Sequence, residues 1–138
     1  MTALEPATIS ERRKLLLRIL WGLAILTIIV GSLLPGDSTP IQMLDHLKIS
    51  DKIQHFGAYV VLAFLPAIHE RRKFVVMAAL FAVVLGIGLE FGQLDSAGRD
   101  FEIGDMLTDA LGVCFGLMVG IPLRTWSLVR DLLYASPR

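Results

Sequence analysis

The sequence predicts an all-α membrane protein: a bundle of four transmembrane helices with both termini on the cytoplasmic side. Three observations predict it. Of the 138 residues, 54% are hydrophobic and only 19% are charged, with a mean hydropathy of +0.65; a soluble domain has roughly 45–50% apolar and about 25% charged residues. Four stretches approach the about 20 apolar residues needed to cross a hydrocarbon core of roughly 30 Å. Lysine and arginine gather at the segment ends that an alternating four-span path brings to one side. The length allows one domain.

The first span is expected from about Leu15 to Leu34, closed by Pro35 and Gly36. Its basic flank (Arg12, Arg13, Lys14) raises the question of a cleaved signal peptide. No small-x-small cleavage site follows and the apolar run is too long for a signal core, so an uncleaved signal anchor is expected. The second span runs from about Ile53 to Ile68, with Gln54, His55 and Tyr59 near its start. The third covers about Phe74 to Leu94 and meets no charge before Glu90. The fourth covers about Met106 to Leu123, where Pro122 is expected to end it. The chain thus divides into a cytoplasmic segment 1–14, a four-helix domain 15–123 and a cytoplasmic tail 124–138. That tail mixes Trp126, Leu128 and Leu132 with charge, and reads either as a short interfacial helix or as a frayed end.

Orientation follows from counting positive charge. Ten Lys and Arg residues (Arg12, Arg13, Lys14, Arg18, Arg71, Arg72, Lys73, Arg124, Arg130, Arg138) fall on one side, against Lys48, Lys52 and Arg99 on the other. The positive-inside rule places the first group in the cytoplasm, and the loops near 35–52 and 95–104 outside. Nine of the thirteen acidic residues lie at or near the outer end. Acidic residues contribute little to topology, so this asymmetry asks for another cause. Equal totals of thirteen basic and thirteen acidic residues leave no overall field for nucleic acid, and no nucleic-acid partner is expected. The lone Cys114 has no internal disulfide partner, and its apolar neighbours predict a small buried hydrophobe.

Three polar stripes stand at the outer ends of the later helices. Asp51, His55 and Tyr59 are spaced four and four, with Lys52 alongside. Gly86, Glu90 and Gln93 share one face of the third span. Asp105, Asp109, Gly112, Gly116 and Gly120 form one line on the fourth. Glycines at intervals of four mark close helix packing, so Asp105 and Asp109 are expected to face the bundle as well. Turning Asp109 toward lipid at the membrane centre would cost on the order of 3 kcal/mol. A recessed polar cluster is the inference, with Arg99 and Asp100 delivered to the same end by the connecting loop. Asp51 with Gln54 also reads as a helix-capping box, and the charged residues could equally pair with one another for structure alone.

The chemistry open to such a cluster is general acid–base work by a carboxylate and a histidine, with Arg99 and Lys52 holding an anionic group. Glu90, His55 and Asp109 are the catalytic candidates; Arg99, Lys52, Asp51, Tyr59, Gln93 and Asp105 are the binding candidates. No serine sits in a tight Gly-flanked turn as a nucleophile. Zinc through His55, Glu90 and an Asp lacks an H-E-x-x-H motif and a second histidine, so no metal and no cofactor are expected.

The motifs Asp51-Lys52-x-x-His55-x-x-x-Tyr59, Glu90-x-x-Gln93 and Arg99 through Asp105 to Asp109, followed by Gly112 and Gly116, resemble the VanZ-like family. The run Ser32-Leu33-Leu34-Pro35-Gly36 is similar to that family's exit from its first helix. The resemblance covers about residues 19–120 and implies a small bacterial integral membrane protein of four or more helices. The family's founding member is linked to teicoplanin resistance. Asp109 stands where asparagine is common in the family, which adds a carboxylate beside Asp105. The expected setting is the bacterial inner membrane, and the coincidence of acids, His55 and Arg99 at one depth makes membrane lipid and a lipid-linked envelope precursor the expected partners. Two functional expectations follow: a site open to the outer leaflet that acts on or binds such an amphiphile, or a scaffold or accessory subunit whose polar cluster is structural. The Gly112, Gly116 and Gly120 stripe serves packing within the chain or a homodimer.

Overall fold

In a computed structural model, the structure describes residues 9–34, 38–39, 42, 50–93 and 102–134. These residues form four long helices and no strand: α1 (Ile9–Leu33), α2 (Asp51–His69), α3 (Arg72–Gln93) and α4 (Ile103–Tyr134). Three of them, over Glu11–Leu33, Arg72–Gln93 and Ile103–Ser127, are long and apolar enough to cross a membrane. The remaining helix, α2, has 19 residues and so a length of about 28 Å. Its first two turns carry Asp51, Lys52, Gln54 and His55, which dilutes its apolar character.

Packing is organised around α2 and α4, the most extensively paired helices. The glycine stripe explains why. A Cβ on Gly112 would fall 2.6 Å from the Phe56 carbonyl oxygen, and one on Gly116 would fall 2.5 Å from that of Val60. With hydrogen in place of a side chain, the two backbones touch along their length. The stripe is therefore used within one chain. Residues Val75, Ala78, Ala82, Gly86, Leu89, Glu90 and Gln93 are the buried face of α3. The core joins Tyr59, Leu62 and Ala63 of α2 with Ala82 of α3 and Val113 of α4, and Trp21, Ala24, Ile25 and Ile28 of α1 pack against it. Around this core, Met77, Leu80, Val84, Leu107, Leu111 and Met118 are all more than half exposed. So wide an apolar belt suits acyl chains as its solvent.

One proline explains the place of α1. Pro66 is fully buried inside α2, and proline has no N–H to give to the carbonyl four residues back. That carbonyl belongs to Leu62. It accepts instead from the Trp21 indole N–H of α1, at 2.9 Å. Trp21 is held in turn by edge-on contacts to Phe74 and Phe81 of α3.

Three expectations are corrected. Helix α4 does not end at Pro122 but runs through it to Tyr134, so residues 124–134 continue the same helix. A proline removes a single hydrogen bond, and the Leu- and Arg-rich sequence beyond it favours helix. Cys114 is exposed rather than buried, because it lies off the glycine face of α4. Asp51 is not a cap: Ser50 is the N-cap residue of α2, its side chain makes no capping bond, and Asp51 lies inside the first turn.

Candidate functional site

The polar stripes of α2, α3 and α4 meet at one end of the bundle. His55 of α2 sets Nδ1 3.0 Å from Oδ1 of Asp109 on α4. With the carboxylate as acceptor, the ring donates from Nδ1 and leaves Nε2 on the other side. Nε2 looks toward the exposed Asp51, whose Oδ2 is 3.7 Å away, a turn earlier on the same helix. One histidine thus stands between a carboxylate open to the surroundings and a carboxylate that is 2% exposed.

Asp109 is the centre of the arrangement. The glycine face of α4 turns it inward; its Oδ2 makes no hydrogen bond of good geometry among the described residues, while the Tyr59 hydroxyl lies close enough to interact with the carboxylate. Oδ2 lies against Gly86 of α3, where a Cβ would stand 2.6 Å from it and 3.0 Å from the Tyr59 hydroxyl. Three helices therefore approach one carboxylate, and glycine at position 86 leaves the room.

Around this centre, Glu90 stands one turn beyond Gly86 and is 1% exposed. It accepts the backbone N–H of Glu102 at 3.2 Å and lies within electrostatic reach of His55, Asp105 and Asp109. The Lys52 ammonium bridges Glu102 at 2.7 Å and Asp105 at 3.1 Å across the starts of α2 and α4. Lys52 holds the Glu102 carboxylate below the usual range, by hydrogen bond first and by charge second. Asp51, His55 and Asp105 bring possible metal-ligand atoms within 4.8 Å of one another. Asp109 on the far ring nitrogen is the kind of support that a metal-bound histidine has, while Lys52 already holds Asp105 as the protein's own cation.

Of the residues expected to converge, His55, Tyr59, Glu90, Asp105 and Asp109 do so, with Asp51 and Lys52 at the rim. Gln93 turns elsewhere: its side-chain amide donates to the Ser32 carbonyl of α1 at 3.0 Å. Arg99 lies outside the described residues. Glu102, which anchors both Lys52 and Glu90, was missed by sequence reasoning. Its position just before α4 was the available signal.

A second polar centre, also missed, closes the opposite end. Glu70, 7% exposed, takes Arg18 of α1 at 2.6 Å. Arg124 of α4 donates to the Glu70 carbonyl, and His69 Nε2 lies 3.4 Å from the carboxylate. The Arg18 hydrogen bond holds Glu70 below the usual carboxylate range against the effect of burial. Glu70 is the lone acid in the basic run His69-Glu70-Arg71-Arg72-Lys73, the signal that could have found it. These contacts gather the basic clusters of α1, the α2–α3 junction and α4 at one end, away from His55.

None of the curated proteins and none of the solved structures compared matches the chain. The VanZ/LLP1 family model matches residues 10–124. That match runs from the first turn of α1 to Arg124 of α4, well over half of the sequence: the chain belongs to the VanZ/LLP1 family.

Proposed function

We propose that this protein is a multi-pass protein of a bacterial inner membrane whose polar cluster binds or acts on the headgroup of a lipid-linked cell-envelope amphiphile. In this reading all four helices cross, with α2 carried through by its packing along α4. The basic end around Arg18, Arg71, Arg72, Lys73 and Arg124 faces the cytoplasm by the positive-inside rule, and the His55 end faces outward. The observation that carries the proposal is the buried Asp109 carboxylate, bonded to His55 Nδ1 with the Tyr59 hydroxyl beside it, which leaves His55 Nε2 facing the exposed Asp51.

The chemistry the geometry supports is proton transfer. Asp109 orients the imidazole, and His55 Nε2, on the side of exposed Asp51, takes or returns a proton at the headgroup. Low local dielectric strengthens each of these contacts. Lys52 is already paired with Glu102 and Asp105, so the positive charge for a phosphate or carboxylate falls to Arg99.

A second reading, a non-catalytic scaffold or accessory subunit, draws on Lys52 and Gln93, which are spent on Glu102, Asp105 and the Ser32 carbonyl. Single replacement of Glu90, His55 and Arg99 separates the two. Membrane abundance and a cell-envelope phenotype are measured for each variant. Normal abundance with a lost phenotype supports the site; reduced abundance throughout supports the scaffold; an unchanged phenotype in all three defeats the site.

A further inference from the structure

Away from the His55 cluster, at the basic end, a cavity of about 400 Å³ opens between α3 and α4 over α2. Its floor is Ala67 and Val75, 0% and 5% exposed. One wall is the first turn of α3 with Arg72; the other is Ile121, Arg124 and Thr125 of α4. We infer that this groove is a binding site for an anionic glycerophospholipid, with the phosphate between Arg72 and Arg124 and the start of an acyl chain on Ala67, Val75 and Ile121.

Charge is the first argument. Helix α3 has no acidic residue in its first turn and begins Arg72-Lys73 instead. Unpaired N–H groups and the helix dipole already make an N-terminus positive, so cations there oppose the helix unless an anion joins them. Glu70 does not supply that anion, because its carboxylate is committed to Arg18. Arg72 has no ion-pair or hydrogen-bond partner among the described residues. Arg124 is held in place by the Glu70 carbonyl, which uses one of its five donors and pre-aims the guanidinium.

Shape is the second. A hydrated inorganic anion has no use for an apolar floor, whereas a lipid uses both parts. The groove opens beside Ile121, 49% exposed, and the outer apolar belt continues from there, so an acyl chain leaving the groove would stay on apolar surface. Basic pockets between membrane helices are established places for acidic headgroups.

The test uses the full-length protein in a neutral detergent, with native mass spectrometry of added phosphatidylglycerol, phosphatidylcholine and glycerol 3-phosphate. Phosphatidylglycerol is expected to bind, with phosphatidylcholine and glycerol 3-phosphate each at least roughly fivefold weaker. Arg72→Gln, which removes no ion pair or hydrogen bond within the described residues, is expected to weaken phosphatidylglycerol by roughly fivefold. Arg13→Gln makes the same charge change on exposed α1 and is expected to leave binding within about twofold. Equal losses in the two variants point to a diffuse basic surface and overturn the inference. Equal binding of phosphatidylcholine, or glycerol 3-phosphate as good as the lipid, overturns it too.

Discussion

His55 and Asp109 are 54 residues apart in the chain, yet Nδ1 of one lies 3.0 Å from Oδ1 of the other. That contact ties the start of α2 to the second turn of α4, at the depth where Gly86 admits α3. Nothing forces a membrane bundle to bury a carboxylate there. Facing the bundle removes the lipid penalty but still leaves the charge to be balanced, and His55 is the group placed to balance it.

Gly86→Ala tests this geometry without removing a polar group. Its Cβ would meet Asp109 Oδ2 at 2.6 Å and the Tyr59 hydroxyl at 3.0 Å, so the carboxylate has to move. The expected outcome is a loss of about 1–3 kcal/mol in unfolding free energy, with the phenotype falling further than abundance. A phenotype that only tracks abundance speaks for a packing role.

Trp21→Phe keeps an aromatic ring against Phe74 and Phe81 but leaves the Leu62 carbonyl without its donor. The expected loss is about 1–3 kcal/mol, the range for a buried acceptor left unsatisfied. In a Pro66→Ala background, residue 66 regains an N–H for that carbonyl, and the same Trp21 change is expected to do less harm. Melting temperatures of the four proteins in such a cycle decide it; equal Trp21 effects in both backgrounds remove the link between Pro66 and Trp21.

What the sequence made legible were side-chain patterns that repeat on one helix. Gly112, Gly116 and Gly120 told which face of α4 packs, and Asp105 and Asp109 followed from the same spacing. Partners that are backbone groups left no such trace. Gln93 falls on the buried face of α3, but its acceptor is the Ser32 carbonyl, which any residue could offer. Glu90 meets the N–H of Glu102 in the same way. The Arg18–Glu70 pair spans 52 residues between two segments read as basic flanks, and charge counting treats such flanks as sums rather than pairs. Pro122 misled because a proline signals a helix end only on average, and α4 continues through it.

Gly116→Leu addresses the α2–α4 seam directly. Its side chain would drive into the Val60 carbonyl and the Ala63 side chain. Overpacking of this kind costs about 1–3 kcal/mol or more, so reduced membrane abundance and a lower melting temperature are expected. The same change at Gly88, where a Cβ meets nothing within 4 Å, is expected to be near neutral. Equal effects at the two positions would contradict the packing described.

Acid titration examines the opposite end. Arg18 lowers the Glu70 carboxylate from its ordinary value. Stability from this pair is therefore complete above the unfolded-state value of about 4.3 and is lost as the pH falls through the lower folded-state value. Glu70→Gln is expected to reduce the melting temperature at neutral pH and to narrow the gap to wild type on acidification. A gap that does not change between pH 7 and pH 3 shows that the pair does not contribute.

The most direct measurement is the envelope phenotype of Asp109→Asn at matched membrane abundance. Asparagine keeps the shape and an acceptor for His55 while removing the negative charge. The expected variant is well inserted, melts near wild type and has lost its phenotype. A variant equally abundant and fully active would contradict the claim that Asp109 and His55 form a working site.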